Sequence, residues 1–155
     1  MPQFETTRTV AHSAEDMFAL VADIERYPEF VPLCEQLNVR SRKEGEGKEL
    51  LVADMAVGYK SIRETFTSQV LLKPGERVIE VKYIDGPFRY LDNRWRFEPA
   101  GPESCRVHFY IDYAFRNRML GMLMGTMFDR AFRTFAEAFE RRADQVYGRR
   151  SEKTA

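Results

Sequence analysis

The sequence predicts an α+β fold: a curved antiparallel sheet of six to seven strands packed on one long C-terminal helix. Three observations carry that expectation. Apolar residues recur with a period of two in successive segments between Phe4 and Phe115, the pattern of strands with one dry and one wet face. From about Arg118 to Tyr147 the period changes to 3.6, in a stretch without proline. The chain has 155 residues, of which 44% are apolar. That is the size and composition of one globular domain, expected over residues 1–150 with a disordered tail at 151–155.

Taken in order, Phe4 to Val10 reads as an opening strand. Ser13 then caps a short helix, with Asp16 as an imperfect capping-box partner and Met17, Phe18, Leu20 and Val21 as the apolar face. That helix stops before Tyr27-Pro28-Glu29-Phe30-Val31-Pro32, where two prolines argue against regular structure. Strands follow over Leu37–Lys43, Glu49–Tyr59 and Ser61–Lys73, the first two joined by the turn Glu44-Gly45-Glu46-Gly47. Pro74-Gly75 leads to Arg77–Ile84, Asp85-Gly86-Pro87 to Phe88–Glu98, and Pro99 through Pro102 to Cys105–Phe115. In the last strand Val107, Phe109, Ile111, Tyr113 and Phe115 share one face.

On the final helix Met124, Phe128, Phe132, Phe135, Phe139 and Val146 fall within about 80° of one another, at 100° per residue. Arg130, Arg133, Glu137, Glu140 and Arg141 take the opposite side. Such a stripe either seals a core or lines a cavity. Gly121 and Gly125 beside it leave space or admit another backbone, and Met119, Met122, Met124 and Met127 adapt to irregular apolar shapes. Met122 and Leu123 point to the side that is polar further along, so the first turns are apolar all round and need a cover of protein, ligand or lipid. The Tyr27–Pro32 segment is a second apolar stretch, either a core plug or the lip of a binding site.

Other signals exclude chemistry. Cys34 and Cys105 are single cysteines without a CxxC pair, read as buried thiols rather than a disulfide or zinc framework. His12 and His108 lack metal-ligand spacing. Asp54, Glu64, Asn93 and Asp112 are scattered over the strands without acid/base spacing, so no catalytic residue, catalytic cofactor or metal is expected and the chain reads as a non-enzyme. Glu64 falls on the apolar face beside Ile62 and Phe66, where it either pairs with an arginine or orients a polar ligand head. The chain begins without a signal core and has no apolar run long enough for a membrane span, which predicts a cytoplasmic protein.

Several segments resemble one family. They are His12 through Phe18, Ile24-Glu25-Arg26-Tyr27-Pro28-Glu29-Phe30-Val31-Pro32-Leu33-Cys34, Tyr59 through Ser68, Asp85 through Leu91, and Trp95-Arg96-Phe97. Over about residues 3–147 the chain is similar to the coenzyme Q-binding START proteins of the polyketide cyclase/START-like superfamily, which includes a ribosome-association toxin branch. The resemblance implies a START-like helix-grip, the sheet wrapped around the C-terminal helix with a hydrophobic tunnel between. It implies binding and transport of ubiquinone or a similar polyprenyl lipid in support of respiratory electron transport, with ubiquinone as bound ligand. The tunnel would draw on Tyr27, Phe30 and Val31 from the loop, and on Phe66, Phe88, Trp95, Phe109 and Tyr113 from the strands. Leu123, Met124, Met127, Phe128, Phe132 and Phe135 would supply the helix side. Tyr59, Glu64 or Trp95 would meet the quinone ring.

The zero net charge hides an asymmetry. Residues 114–150 hold eight Arg against four acids (+4), and residues 1–113 hold 15 basic against 19 acidic residues (−4). A basic, locally apolar helix suits a transient visit to an anionic membrane surface, which would make the protein peripheral on the cytoplasmic face of the inner membrane. The toxin branch of the resembled family implies a ribosome- or RNA-binding regulator as the second reading; eighteen Arg against six Lys suit it, although acids interleaved with the arginines weaken a phosphate footprint. DNA is not an expected partner, and a START-like cyclase is a third reading.

Overall fold

A computed structural model describes residues 3–59 and 61–148, with the Tyr59 side chain outside the described part. The expected tail at 151–155 also lies outside it. Seven strands form one antiparallel sheet in the order β1-β7-β6-β5-β4-β3-β2. They are β1 (Gln3–Val10), β2 (Cys34–Gly45), β3 (Lys48–Tyr59), β4 (Ile62–Lys73), β5 (Val78–Asp85), β6 (Phe88–Gly101) and β7 (Ser104–Phe115). The first strand thus pairs with the last, and the other neighbours form a meander. Helix α1 (Ala14–Ala22) opens on Ser13, whose Oγ accepts the Asp16 amide at 3.0 Å.

Alternation set the faces as expected. In β7 the side chains of Cys105, Val107, Phe109, Ile111 and Tyr113 are all buried, with less buried neighbours between them. Cys34 and Cys105 are buried free thiols, as expected. The β2–β3 turn is tight because Glu46 and Gly47 both adopt positive φ (55° and 76°), the twist a two-residue hairpin requires. At the β5–β6 corner Gly86 is obligatory: its φ is 145°, and a Cβ there would meet the Phe66 Cβ at 2.5 Å.

Three expectations need correction. The Tyr27–Pro32 segment is not irregular throughout, since Ile24–Glu29 forms a 3₁₀ helix with Pro28 inside it. Pro28 forfeits one donor only, and the Tyr27 carbonyl accepts both the Phe30 and Val31 amides. The long C-terminal helix is two helices, α2 (Arg118–Arg133) and α3 (Phe135–Tyr147), broken at Thr134. Thr134 sits at φ −104°, ψ 0°, and its Oγ1 donates to the carbonyls of Ala131 (3.0 Å) and Arg130 (3.4 Å), in competition with the helical ladder. The break resets the helical phase, so Val146 is exposed rather than part of the buried stripe. Ala136 and Ala143 join Phe139 on the buried side instead.

Of the two roles expected of Gly121 and Gly125, leaving space is the one the structure shows. No backbone approaches them; a Cβ on either would stand 3.8–3.9 Å from the Phe115 ring, an ordinary contact.

Candidate functional site

The concave sheet face, the two C-terminal helices and the 3₁₀ loop enclose a cavity of about 90 Å³. Strands β3 to β7 supply inward-facing residues because the pleat turns every second side chain to this face. Ala53, Met55 and Val57 come from β3, Phe66, Ser68 and Val70 from β4, and Ile79 and Val81 from β5. Leu91, Asn93 and Trp95 come from β6 and Ile111 from β7. Phe128, Ala131 and Phe132 of α2, with Phe135 and Phe139 of α3, form the floor. Ile24, Tyr27, Pro32, Leu33 and Leu37 close the remaining side.

Aromatic edges fix this wall. Phe139 lies edge-on to Tyr27, Phe30 and Trp95 at centroid distances of 5.2, 5.0 and 5.0 Å. Phe132 meets Tyr113 at 5.0 Å and Phe135 at 5.3 Å. The loop is latched from outside. Tyr27 Oη donates to the Val21 carbonyl at 2.5 Å, and burial raises its pKa above the ordinary tyrosine range. Glu29 accepts from Arg26 at 3.1 Å and from Arg142, and these guanidinium groups hold its carboxyl below the ordinary carboxylate value. Arg142 also lies over the Phe30 ring at 5.0 Å.

Two polar side chains, Ser68 and Asn93, interrupt the apolar wall. Asn93 Nδ2 donates to the Tyr110 carbonyl at 2.9 Å. Ser68 Oγ is buried and has no hydrogen-bond partner among the described residues.

Of the residues proposed from the sequence, Tyr27, Phe66, Trp95, Phe128, Phe132 and Phe135 line the cavity. Phe30, Val31, Phe88, Phe109, Tyr113 and Met124 do not. They form the layer behind it, as in the contact of Phe109 with Trp95 at 4.7 Å and of Phe88 with Phe66 at 5.5 Å. Burial pushes the Tyr113 hydroxyl up to about 12. Leu123 and Met127 line a separate outer groove of about 550 Å³ with Pro32, Leu33, Ile62 and Ala131. Pro32, Leu33 and Ala131 belong to both, so they are the partition between groove and cavity. The Tyr59 side chain lies outside the described residues.

Glu64 is half-buried, does not line the cavity, and forms no ion pair among the described residues, so the expected arginine partner is not found there. Phe66, one inward position further along β4, closes the cavity before Glu64 is reached. The other scattered polar residues do not converge. Asp54 is engaged by Thr67 (2.5 Å) and Arg40 (2.7 Å), which lower its pKa, and Asp112 accepts from Tyr90 at 3.3 Å. Sequence reasoning missed Ser68 and the aliphatic walls of β3 and β5. Inward alternation was the signal for all of them.

Among the described residues no helix is long and apolar enough to cross a membrane. Met119, Met122 and Leu123 are nevertheless 70%, 79% and 60% exposed at the start of α2, as the all-round apolar turns implied.

Comparison with known proteins identifies the scaffold. The ribosome association toxin RatA of Escherichia coli (strain K12) is 33% identical over 150 residues, spanning 97% of this chain and 92% of that protein. The coenzyme Q-binding protein COQ10 homolog B, mitochondrial, of Xenopus laevis is 29% identical, spanning 95% of this chain and 60% of that protein. A START superfamily protein from Mycobacterium smegmatis superposes with a TM-score of 0.77 at 23% identity, over 93% of this chain and 98% of the other. Residues 10–140 match the family described as polyketide cyclase / dehydrase and lipid transport, and the chain belongs to that family.

Proposed function

We propose that the protein binds and carries an apolar lipid of the ubiquinone class without catalysing a reaction. The observation that carries this reading is the cavity wall: aromatic and aliphatic throughout, with Ser68 and Asn93 as its polar side chains and no carboxylate or imidazole positioned to move a proton. Burying an isoprenoid tail needs such a surface, at about 25 cal/mol per Å², more than it needs hydrogen bonds. The similarity to a coenzyme Q-binding protein supports the same ligand class.

The cavity volume adds a condition. About 90 Å³ is below the roughly 300–1,000 Å³ of sites that hold such ligands, so loading requires the partition of Pro32, Leu33 and Ala131 to part. Cavity and outer groove then join into one path, and the groove opens beside Leu123, next to exposed Met119 and Met122. Exposed Arg118 and Arg130 on the same helix suit an anionic leaflet, which makes this end the natural site of transfer. Such a protein works from the cytoplasmic face of the inner membrane as a peripheral visitor.

Protein purified from quinone-containing cells is expected to release ubiquinone into an organic extract, read by mass spectrometry. Extracts without it, together with failure to bind added quinone, would overturn the proposal.

A second reading, a regulator that associates with the ribosome, has its own support: the RatA relative is more similar in sequence than the COQ10 homolog. Three arginines of the C-terminal helices count against it, because Arg133 pairs with Asp129, Arg141 with Glu137 and Arg142 with Glu29. Salt-sensitive co-sedimentation with ribosomal subunits would favour this reading over lipid carriage.

A further inference from the structure

We infer that the Ser68 hydroxyl is the contact that fixes the ligand's head, donating a hydrogen bond to a carbonyl or ether oxygen of an otherwise apolar molecule. The inference rests on the reading of the cavity as a lipid site and adds where in it an oxygen binds.

Along β4 the inward positions run Phe66, Ser68, Val70, each lining the cavity. Serine is the misfit. In register it faces Ala53 on β3 and Tyr83 on β5, and it is 6% exposed. Its neighbour Thr67 turns the other way and is satisfied by Asp54, whereas Ser68 Oγ has no partner among the described residues. A buried hydroxyl without a hydrogen bond is destabilising, and alanine or valine at this position would avoid that cost. Of the side chains it faces, Ala53 has no polar atom and the Tyr83 Oη accepts the Phe88 amide at 3.1 Å, so the partner of the hydroxyl has to come from a molecule inside the cavity.

Asn93 does not compete for this role. It faces Val81, which faces Val70, so it lies two strands from Ser68, at about 4.8 Å per strand spacing. Its amide nitrogen is already committed to Tyr110. Ser68 therefore marks the point in the cavity wall where an oxygen is recognised, between Phe66 and Val70, and the aromatic floor of Phe128, Phe132 and Phe135 takes the hydrocarbon.

The test compares wild type with Ser68→Ala in calorimetric titrations against two probes delivered from detergent, a short-tailed ubiquinone and an isoprenoid hydrocarbon of matching tail without oxygen. Ser68→Ala is expected to weaken the quinone about five- to tenfold and to leave the hydrocarbon unchanged. Its melting temperature without ligand is expected to rise, because the unpaired hydroxyl is gone. Equal affinities of variant and wild type for the quinone, or equal losses for both probes, would overturn the role of Ser68 and leave the lipid site standing. Wild type that binds neither probe would overturn both.

Discussion

The two helices on either side of Thr134 are made from adjacent sequence and live in different surroundings. Helix α3 is tied into the molecule by polar contacts: Asp144 to buried His12 at 2.7 Å, Glu140 to Arg8 at 2.5 Å, Arg142 to Glu29, and Tyr147 Oη to the Asp16 carbonyl at 3.1 Å. Helix α2 rests on the sheet through Met124, Phe128 and Phe132, its N-cap bond is local to Asn117, and its first turns expose two methionines and a leucine. One helix is an anchor and the other a cover. The lesson is that exposed apolar surface collects at the end of the fold that polar contacts leave untied.

The largest test of this contrast is Phe139→Ala in α3. It removes the ring that meets Tyr27, Phe30 and Trp95, and is expected to destabilise by about 3–5 kcal/mol in urea denaturation. Asp144→Ala should cost about 1–3 kcal/mol, because it strands the buried His12 ring. A loss below about 0.5 kcal/mol would remove α3 as the anchor.

Thiol chemistry separates the two ends next. Burial pushes both Cys34 and Cys105 from the ordinary 9.0 up to about 11, so both are protonated in the fold where the unfolded chain would ionise. Below pH 9 their stabilising effect is complete. It is lost as pH rises from about 9 through 11, visible as a falling melting temperature. Cys34 follows the loop and Cys105 faces Val10 in the β1–β7 ladder, so alkylation of Cys34 should run ahead if the loop side opens first. Equal rates would argue for global unfolding instead.

Smaller effects sharpen the cover. Gly121→Ala should stabilise by up to about 1 kcal/mol, since the new methyl meets Phe115 at 3.8 Å while the helix gains propensity. Leu123→Glu should change stability by less than about 0.5 kcal/mol yet weaken binding to anionic vesicles. A marked destabilisation would make Leu123 a core residue.

Much of this was legible in the sequence. Strand faces followed from alternation, and the α2 stripe of Met124, Phe128 and Phe132 from helical spacing, because burial selects side chains by direction. The break at Thr134 was not legible, since threonine also occurs within helices and only its back-bonds to Arg130 and Ala131 end this one. Val146 was misplaced for the same reason. The site was half legible. A carboxylate at Glu64 draws notice in an apolar strand, but which inward residue reaches the cavity depends on sheet curvature and on Phe66, and both escape a one-dimensional pattern. Ser68 went unnoticed because a serine in a strand is ordinary until its surroundings are known.

Leu33, on the partition, has a further consequence through its backbone. It holds φ at +69°, a left-handed conformation that costs a side chain roughly 1–2 kcal/mol, while its carbonyl accepts the Gly58 amide at 3.0 Å. The closed loop is thus cocked like a sprung latch, with the β2–β3 ladder as its catch. Under the proposal of lipid carriage, Leu33→Gly would relax the spring, favour the closed loop and slow exchange of the lipid.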